Sequence, residues 1–288
     1  MRLADGGLTD PDFHRIAIVG VGLIGGSIAF AVRRTFPDAI VVGVDTDDVV
    51  VAARQLGALT YTSTHLEGVR GADLVVLAAP VQANLDVLSS LPDLLEPSTL
   101  VTDTGSTKRA IVLAAQALAP RLTFIGGHPL AGVARSGIEA SRIDLFERRP
   151  WVLTPTTASP RTEVSRLANF IRALGARPLE MEAGEHDRLL AFTSHLPQLT
   201  ASALMHVVGT TVGVEGLELS GGGLADTTRV AASPARIWTD ICATNSDELL
   251  PALDRLIETL TQLRADLNDS RPIDQLFESA RRWRAKLK

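Results

Sequence analysis

A single cysteine, Cys242, among 288 residues excludes an internal disulfide and any multi-cysteine metal site, and it fits a reducing compartment. The leading segment MRLADGGLTDPDFHR lacks the apolar core of a secretory signal. No apolar run is long and unbroken enough to span a bilayer, so a cytoplasmic protein with no membrane partner is expected. Charge of one sign is missing too: 28 Lys and Arg stand against 33 Asp and Glu, mixed along the chain for a net charge of −5. Nucleic acid is therefore not expected as a partner, because binding through counterion release needs a basic field. There is no repeat, low-complexity tract or long linker. The basic end, ARRWRAKLK, reads as a solvated helix terminus.

What the chain does have is a hydrophobic content of 45%, enough for a large core. From Arg15 to about Met181, short β-branched runs (RIAIVG, IVVGVD, DLVVLAAP, LVTDTG, RLTFIGG, WVLTP, ARPLEM) alternate with segments of helical period. That alternation predicts a parallel sheet covered by helices, a doubly wound α/β domain over residues 1–182. Leu74 to Leu77 are apolar at every position, as a strand buried on both faces should be. Ser159-Pro160 reads as an N-cap with proline at the first helical position, and Gly175 as the matching C-terminal cap. Residues 183–288 have helical period throughout and form the second, all-helical domain. Asn245 and Glu248 have capping-box spacing ahead of a stripe of Leu249, Leu253, Leu256, Ile257, Leu260, Leu263 and Leu267, which suits either core or the face of a second copy.

IAIVGVGLIGGSIA sets Gly20, Gly22 and Gly25 in a G-x-G-x-x-G pattern directly after the first strand, with Leu23 and Ile24 opening the helix. The first glycine permits the turn, the second lets backbone approach a pyrophosphate, and the third lets helix pack on strand. Asp45 ends the second strand 20 residues beyond Gly25, where a carboxylate can accept from ribose hydroxyls; a helix N-cap is its simpler role. No arginine follows in DTDDVV, which favours NAD over NADP. Ala79 and Pro80 end another parallel strand, at the edge that faces the cofactor crevice in such sheets.

Two further strand ends point to the same edge. TDTGSTK offers Ser106, for which local pattern favours the N-cap of a helix starting near Thr107. GGHPLAG offers His128 in a shaped loop, either facing water or placed to take a proton from a substrate hydroxyl as hydride leaves. Farther on, Pro197 interrupts a helix, leaving the Thr193 carbonyl unpaired and predicting a kink beside His195. His186 lies nine residues earlier, half a turn out of phase on a straight helix, and reads as a surface residue. The histidines lack the i, i+4 spacing of a zinc site. Asp226 and Arg229 are spaced to pair on a helix, or Arg229 presents its fork to a substrate carboxylate. Ser233-Pro234 opens a helix that carries Trp238 as packing.

The ordered motifs GVGLIGGS, DTGSTK, GGHPLAG, SHLP and DTTRVAASPARIW resemble the prephenate/arogenate dehydrogenases of tyrosine biosynthesis, from about Arg15 to Asn245 and on toward the end. The resemblance implies a Rossmann-type dinucleotide-binding domain followed by a helical dimerisation domain. It implies NAD-dependent oxidative decarboxylation, with prephenate, arogenate or a 4-amino-4-deoxy analogue as small-molecule substrate. By the same resemblance His128 takes the hydroxyl proton, Ser106 orients that histidine and the nicotinamide, and His195 and Arg229 bind substrate. A homodimer through the helical domain is implied, without the chorismate mutase or ACT domain some relatives carry. Ala134, Leu224 and Ala225 depart from the pattern, at the end of the pocket that meets the substrate side chain. The β-hydroxyacid dehydrogenases, a rival reading, use a lysine in the helical domain, and none occurs between Ala183 and Ala280. A catalytically silent NAD-binding sensor would have no use for Ser106, His128 and Arg229 together.

Overall fold

Alternate residues of the central strands face opposite ways, and each set is buried. In the computed structural model, which describes residues 13–119, 121–132 and 135–287, Ile16 and Ile18 of β1 (Arg15–Val19) join one apolar cluster and Ala17 and Val19 the other. Leu74 and Val76 of β4 (Leu74–Leu77) divide from Val75 and Leu77 in the same way. A sheet buried on both faces results, with helices on each side.

Among the described residues, eight strands lie in the order β3-β2-β1-β4-β5-β6-β7-β8. β2 is Ile40–Val44, β3 Tyr61–Ser63, β5 Leu100–Asp103, β6 Thr123–Pro129, β7 Pro150–Thr154 and β8 Arg177–Glu180. The first six run parallel, connected through α1 (Leu23–Thr35), α2 (Asp47–Gln55), α3 (Val81–Leu88) and α4 (Arg109–Gln116). Two features depart from the sequence expectation of seven strands in a parallel sheet. β3 is a three-residue edge strand without an apolar run to announce it. β7 pairs antiparallel with β6, setting His128 opposite Val152, and β8 then runs parallel to β7. Strand direction depends on the connection, and β6 to β7 returns without a crossover helix. His128 consequently lies within a strand and not in a loop.

The cap readings also need correction. Pro160 and Pro234 occupy the N-cap positions of α5 (Arg161–Ala173) and α9 (Ala235–Thr244), one residue earlier than expected, and Ser159 instead accepts from the backbone N–H of Thr156. Gly175 follows the end of α5 with φ +89°, donating its N–H to Arg172 O, as a left-handed terminator should.

The helical part begins with α6 (Ala183–Leu190), widens into one π-helical turn at Ala191–His195, and continues as α7 (Leu196–Leu217), α8 (Gly222–Thr228), α9, α10 (Ser246–Ala265) and α11 (Ser270–Arg284). The expected kink takes the form of this π turn. Pro197 cannot donate an N–H, and the N–H of Leu196 reaches back five residues to Ala191 O. Of the expected apolar stripe, Leu249 on α10 is buried, whereas Ile257 and Leu260 on α10 and Leu267 beyond its end stay more than half exposed in the single chain. The leading segment read above for a secretory signal falls, up to residue 12, outside the described residues, as does Ala134.

Steric contacts fix the first strand-to-helix turn. Gly20 has φ +90°, and a Cβ there would lie 2.5 Å from the backbone N of Ala79. A Cβ on Gly25 would lie 2.0 Å from Gly20 O. Gly25→Ala is therefore expected to push α1 off β1 at a cost of about 1–3 kcal/mol, read as a lower urea midpoint. A native midpoint would show that the turn has room the structure does not display.

Candidate active site

The carboxyl ends of β1, β2 and β4 make one rim. Asp45, immediately after β2, accepts the N–H of Val21 at 2.7 Å through Oδ2 and the N–H of Thr46 at 2.7 Å through Oδ1. It ties the glycine turn to the second strand and is not the N-cap of α2, a position held by Thr46. α1 starts at Gly22 with no side-chain cap and no acidic residue in its first turn, so its leading N–H groups keep their positive end toward the rim. Among the described residues, apart from its chain neighbours and its own helix, nothing lies within 4 Å of a Cβ placed on Gly22. Leu23 and Ile24 pack their side chains on the core, leaving only backbone to face a ligand. Asn84, on α3, donates to Leu77 O and Ala79 O at 3.3 and 2.9 Å and so fixes the end of β4 beside Pro80. This donor set fits a dinucleotide: an uncapped helix start for the pyrophosphate and a carboxylate with no basic side chain after it in DTDDVV for the ribose.

The ends of β5 and β6 are joined by a fully buried carboxylate. Asp103 Oδ1 accepts the N–H of Gly127 at 3.0 Å, and Oδ2 accepts the N–H of Gly105 at 2.8 Å and the ammonium of Lys108. A Cβ on Gly127 would lie 2.6 Å from Asp103 O, so the strand before His128 must be bare to come this close. Both charges of the Asp103–Lys108 pair are inaccessible to water. Burial pulls the Lys108 pKa down from its ordinary value, with Asp103 opposing.

His128 stands half-buried next to this pair. Its Nδ1 is 2.8 Å from Nε2 of His186, and the two rings meet edge to face with centroids 5.1 Å apart. His186 is fully buried and its Nδ1 is 2.8 Å from Asp187 Oδ1, which overturns the surface reading. The surface reading took the helix by itself: α6 packs against α4 and α10, and the π turn at Ala191–His195 also breaks the straight-helix phase between His186 and His195. Asp187 also accepts the N–H groups of Lys108 and Arg109 at 2.7 and 2.9 Å. The start of α4 is thus capped from another part of the chain, and Ser106 is not its cap. Ser106 is half-buried and has no hydrogen-bond partner among the described residues. No hydrogen bond runs from it to His128, whose Nδ1 is taken by His186.

His195 closes the π turn with 1% of its surface exposed, its ring edge-on to Trp238 at 6.1 Å. Asn245 precedes α10 but forms no capping box; its Nδ2 donates to Asp187 O at 3.0 Å and lies 3.4 Å from His195 Nδ1. A backbone carbonyl only accepts, so Nδ2 must face it, and His195 Nδ1 then accepts and Nε2 carries the proton. Arg229 is exposed on the short turn Arg229–Ala232, which is held to α7 by Gln198 Nε2 donating to Val230 O at 2.9 Å. Gln198 is one turn beyond His195, so Arg229 stands near the same end of α7. No ion pair joins it to Asp226 among the described residues. Lys108, His186 and Asn245 were missed as site residues: His186 and Asn245 gain their roles from partners distant in sequence, and Lys108, though paired with nearby Asp103, matters because the fold buries that pair beside His128.

Burial first, then the fields of His186, Lys108 and His195, hold the His128 pKa well below 6.5. Burial lowers that of His195 to about 4, against the raising field of Asp187. Both rings are neutral at pH 7, whereas the unfolded chain binds protons near pH 6.5. Stability should therefore fall as pH drops from about 6.5 toward 4, by a few kcal/mol in urea titrations; a flat profile across that window would contradict the burial of these rings. Asp103→Ala leaves the Lys108 cation buried and unpaired, and a loss of about 3–5 kcal/mol is expected in the same assay.

Two family models match the chain: prephenate dehydrogenase, nucleotide-binding domain, over residues 28–180, and prephenate dehydrogenase, dimerization domain, over residues 182–281. A prephenate dehydrogenase of Bacillus subtilis is 34% identical over 277 residues, covering 93% of this chain and 75% of that protein. A cyclohexadienyl dehydrogenase of Zymomonas mobilis is 35% identical over 287 residues, covering 96% and 97%. Among solved structures, prephenate dehydrogenase from A. aeolicus in complex with hydroxyphenyl propionate and NAD+ superposes with a TM-score of 0.88 at 28% identity, covering 96% of this chain and 98% of that one.

Proposed function

The chain belongs to the prephenate dehydrogenase family, and we propose that it oxidatively decarboxylates prephenate to 4-hydroxyphenylpyruvate with NAD+. The observation that carries the reading is the placing of His128, a neutral half-buried base, on the same sheet edge as the glycine turn. When bound, NAD+ supplies the hydride acceptor. His128 Nε2 accepts the proton of the ring hydroxyl as hydride leaves the carbon that bears it. Loss of the ring carboxylate as CO₂ then completes an aromatic ring. Ser106 keeps its hydroxyl free to meet the substrate hydroxyl and the nicotinamide. His195, protonated on Nε2, donates to a substrate oxygen, and exposed Arg229 offers its fork to a carboxylate. Gly20, Gly22, Leu23, Ile24 and Gly25 present backbone to the pyrophosphate, Asp45 holds the ribose, and Ala79 and Pro80 line the crevice.

A homodimer accounts for the exposed faces of α10 and α11, where Ile257, Leu260, Phe277 and Trp283 stand 58%, 52%, 67% and 70% accessible. No described helix is long and apolar enough to cross a membrane, and Cys242 is a free thiol, both in keeping with a cytoplasmic enzyme. His128→Asn should lower NADH formation from prephenate by at least about 100-fold while NAD+ binding persists; near-native turnover removes His128 from the role. Assaying prephenate and arogenate side by side, each with NAD+ and NADP+, should show the prephenate and NAD+ pair fastest, and preference for arogenate would reassign the substrate. The acid limb of kcat/KM should lie below pH 6.5, since the His128 pKa is depressed.

A further inference from the structure

His128 can act as a base through only one ring nitrogen, and its neighbours decide which. Nδ1 of His128, Nε2 and Nδ1 of His186 and Oδ1 of Asp187 form a chain with 2.8 Å at each link. The polarity of that chain is set at its far end. Burial alone would raise the Asp187 pKa, but hydrogen bonds from His186 and from the N–H groups of Arg109 and Lys108 outweigh it and keep the carboxyl ionised. An ionised carboxylate only accepts, so His186 donates from Nδ1. With its ring proton on Nδ1, His186 presents the lone pair of Nε2 to His128, and His128 supplies the proton between the two rings.

We propose that Asp187 and His186, both on α6, are a positioning pair that fixes His128 as the Nδ1–H tautomer and leaves its Nε2 as the proton acceptor. The pair acts through His128 and rests on the reading of that residue as the base. The opposite tautomer would set two lone pairs against each other across 2.8 Å, or force His186 off Asp187. No water competes, because His186 and Asp187 are both fully buried. The other charged or titratable groups facing His128 are Lys108, paired with Asp103, and His195. Neither offers an acceptor to Nδ1.

During turnover one proton passes from the substrate oxygen to Nε2. The imidazolium so formed keeps its Nδ1–H on His186, and the Asp187 charge stabilises it through that ring. Nothing in the chain is oxidised or reduced. The base lies on β6 and its positioning pair on α6, so its tautomer is established only where the nucleotide-binding and helical parts meet.

The test uses the full-length protein with ¹⁵N-labelled histidine and long-range proton–nitrogen correlations, the His128 ring being assigned by its loss in His128→Asn. The expected spectrum shows His128 protonated on Nδ1 and bare on Nε2, and His186 also protonated on Nδ1. His186→Leu should lose the single-tautomer signature and lower kcat by about 10- to 1,000-fold, with KM for NAD+ moving less than about threefold. His186→Gln, whose amide oxygen can accept from Nδ1–H, should recover much of that loss. An Nε2–H tautomer of His128 in the native protein, or native kcat in His186→Leu, overturns the proposal. A fully active His128→Asn would instead overturn the base reading, so the two failures are distinguishable.

Discussion

One buried carboxylate, that of Asp187, holds the site together. Its two oxygens accept the N–H groups that open α4 and the Nδ1–H of His186, and its backbone carbonyl takes the amide of Asn245 at the head of α10. Four hydrogen bonds from three segments thus converge on a residue that water does not reach. An unpaired carboxylate in such a place would cost several kcal/mol, so the segments that satisfy it are held to it. The docking of the helical part on the sheet edge is therefore also a condition of local structure: α4 has no cap of its own.

Asp103 and Lys108 do the complementary work one layer deeper. Their pairing lets a full positive charge sit beside His128 without solvent, and that charge disfavours the protonated ring. His128 is consequently neutral at physiological pH, while the leading N–H groups of α1 and the exposed fork of Arg229 stay open to anionic groups. Cationic character is spread around the site, and the ring proposed to receive a proton is kept uncharged.

Much of this was legible in the residues. The glycine turn, the all-apolar β4 and the left-handed Gly175 each follow from chemistry confined to a few neighbours. Strand direction after β6 was not legible, because the run WVLTP reads the same whichever way it travels. Neither was His186, whose helical phase is correct only for a straight helix, and the π turn that spoils it arises where Pro197 withholds an N–H. Asn245 and Ser106 show the same limit. Both match cap patterns, yet Asn245 spends its amide on a carbonyl and a ring from other segments, and the cap expected of Ser106 comes from Asp187.

His128 lies in β6, its backbone paired with Val152 of β7 and its predecessor Gly127 held by Asp103. A catalytic group on a free loop must be ordered each time substrate arrives, at roughly 1–2 kcal/mol of conformational entropy per residue fixed. Here that ordering is completed once, during folding, and no part of it is charged against substrate binding. For the role proposed for His128, its seat in a strand thus turns a cost of every turnover into a cost of making the protein.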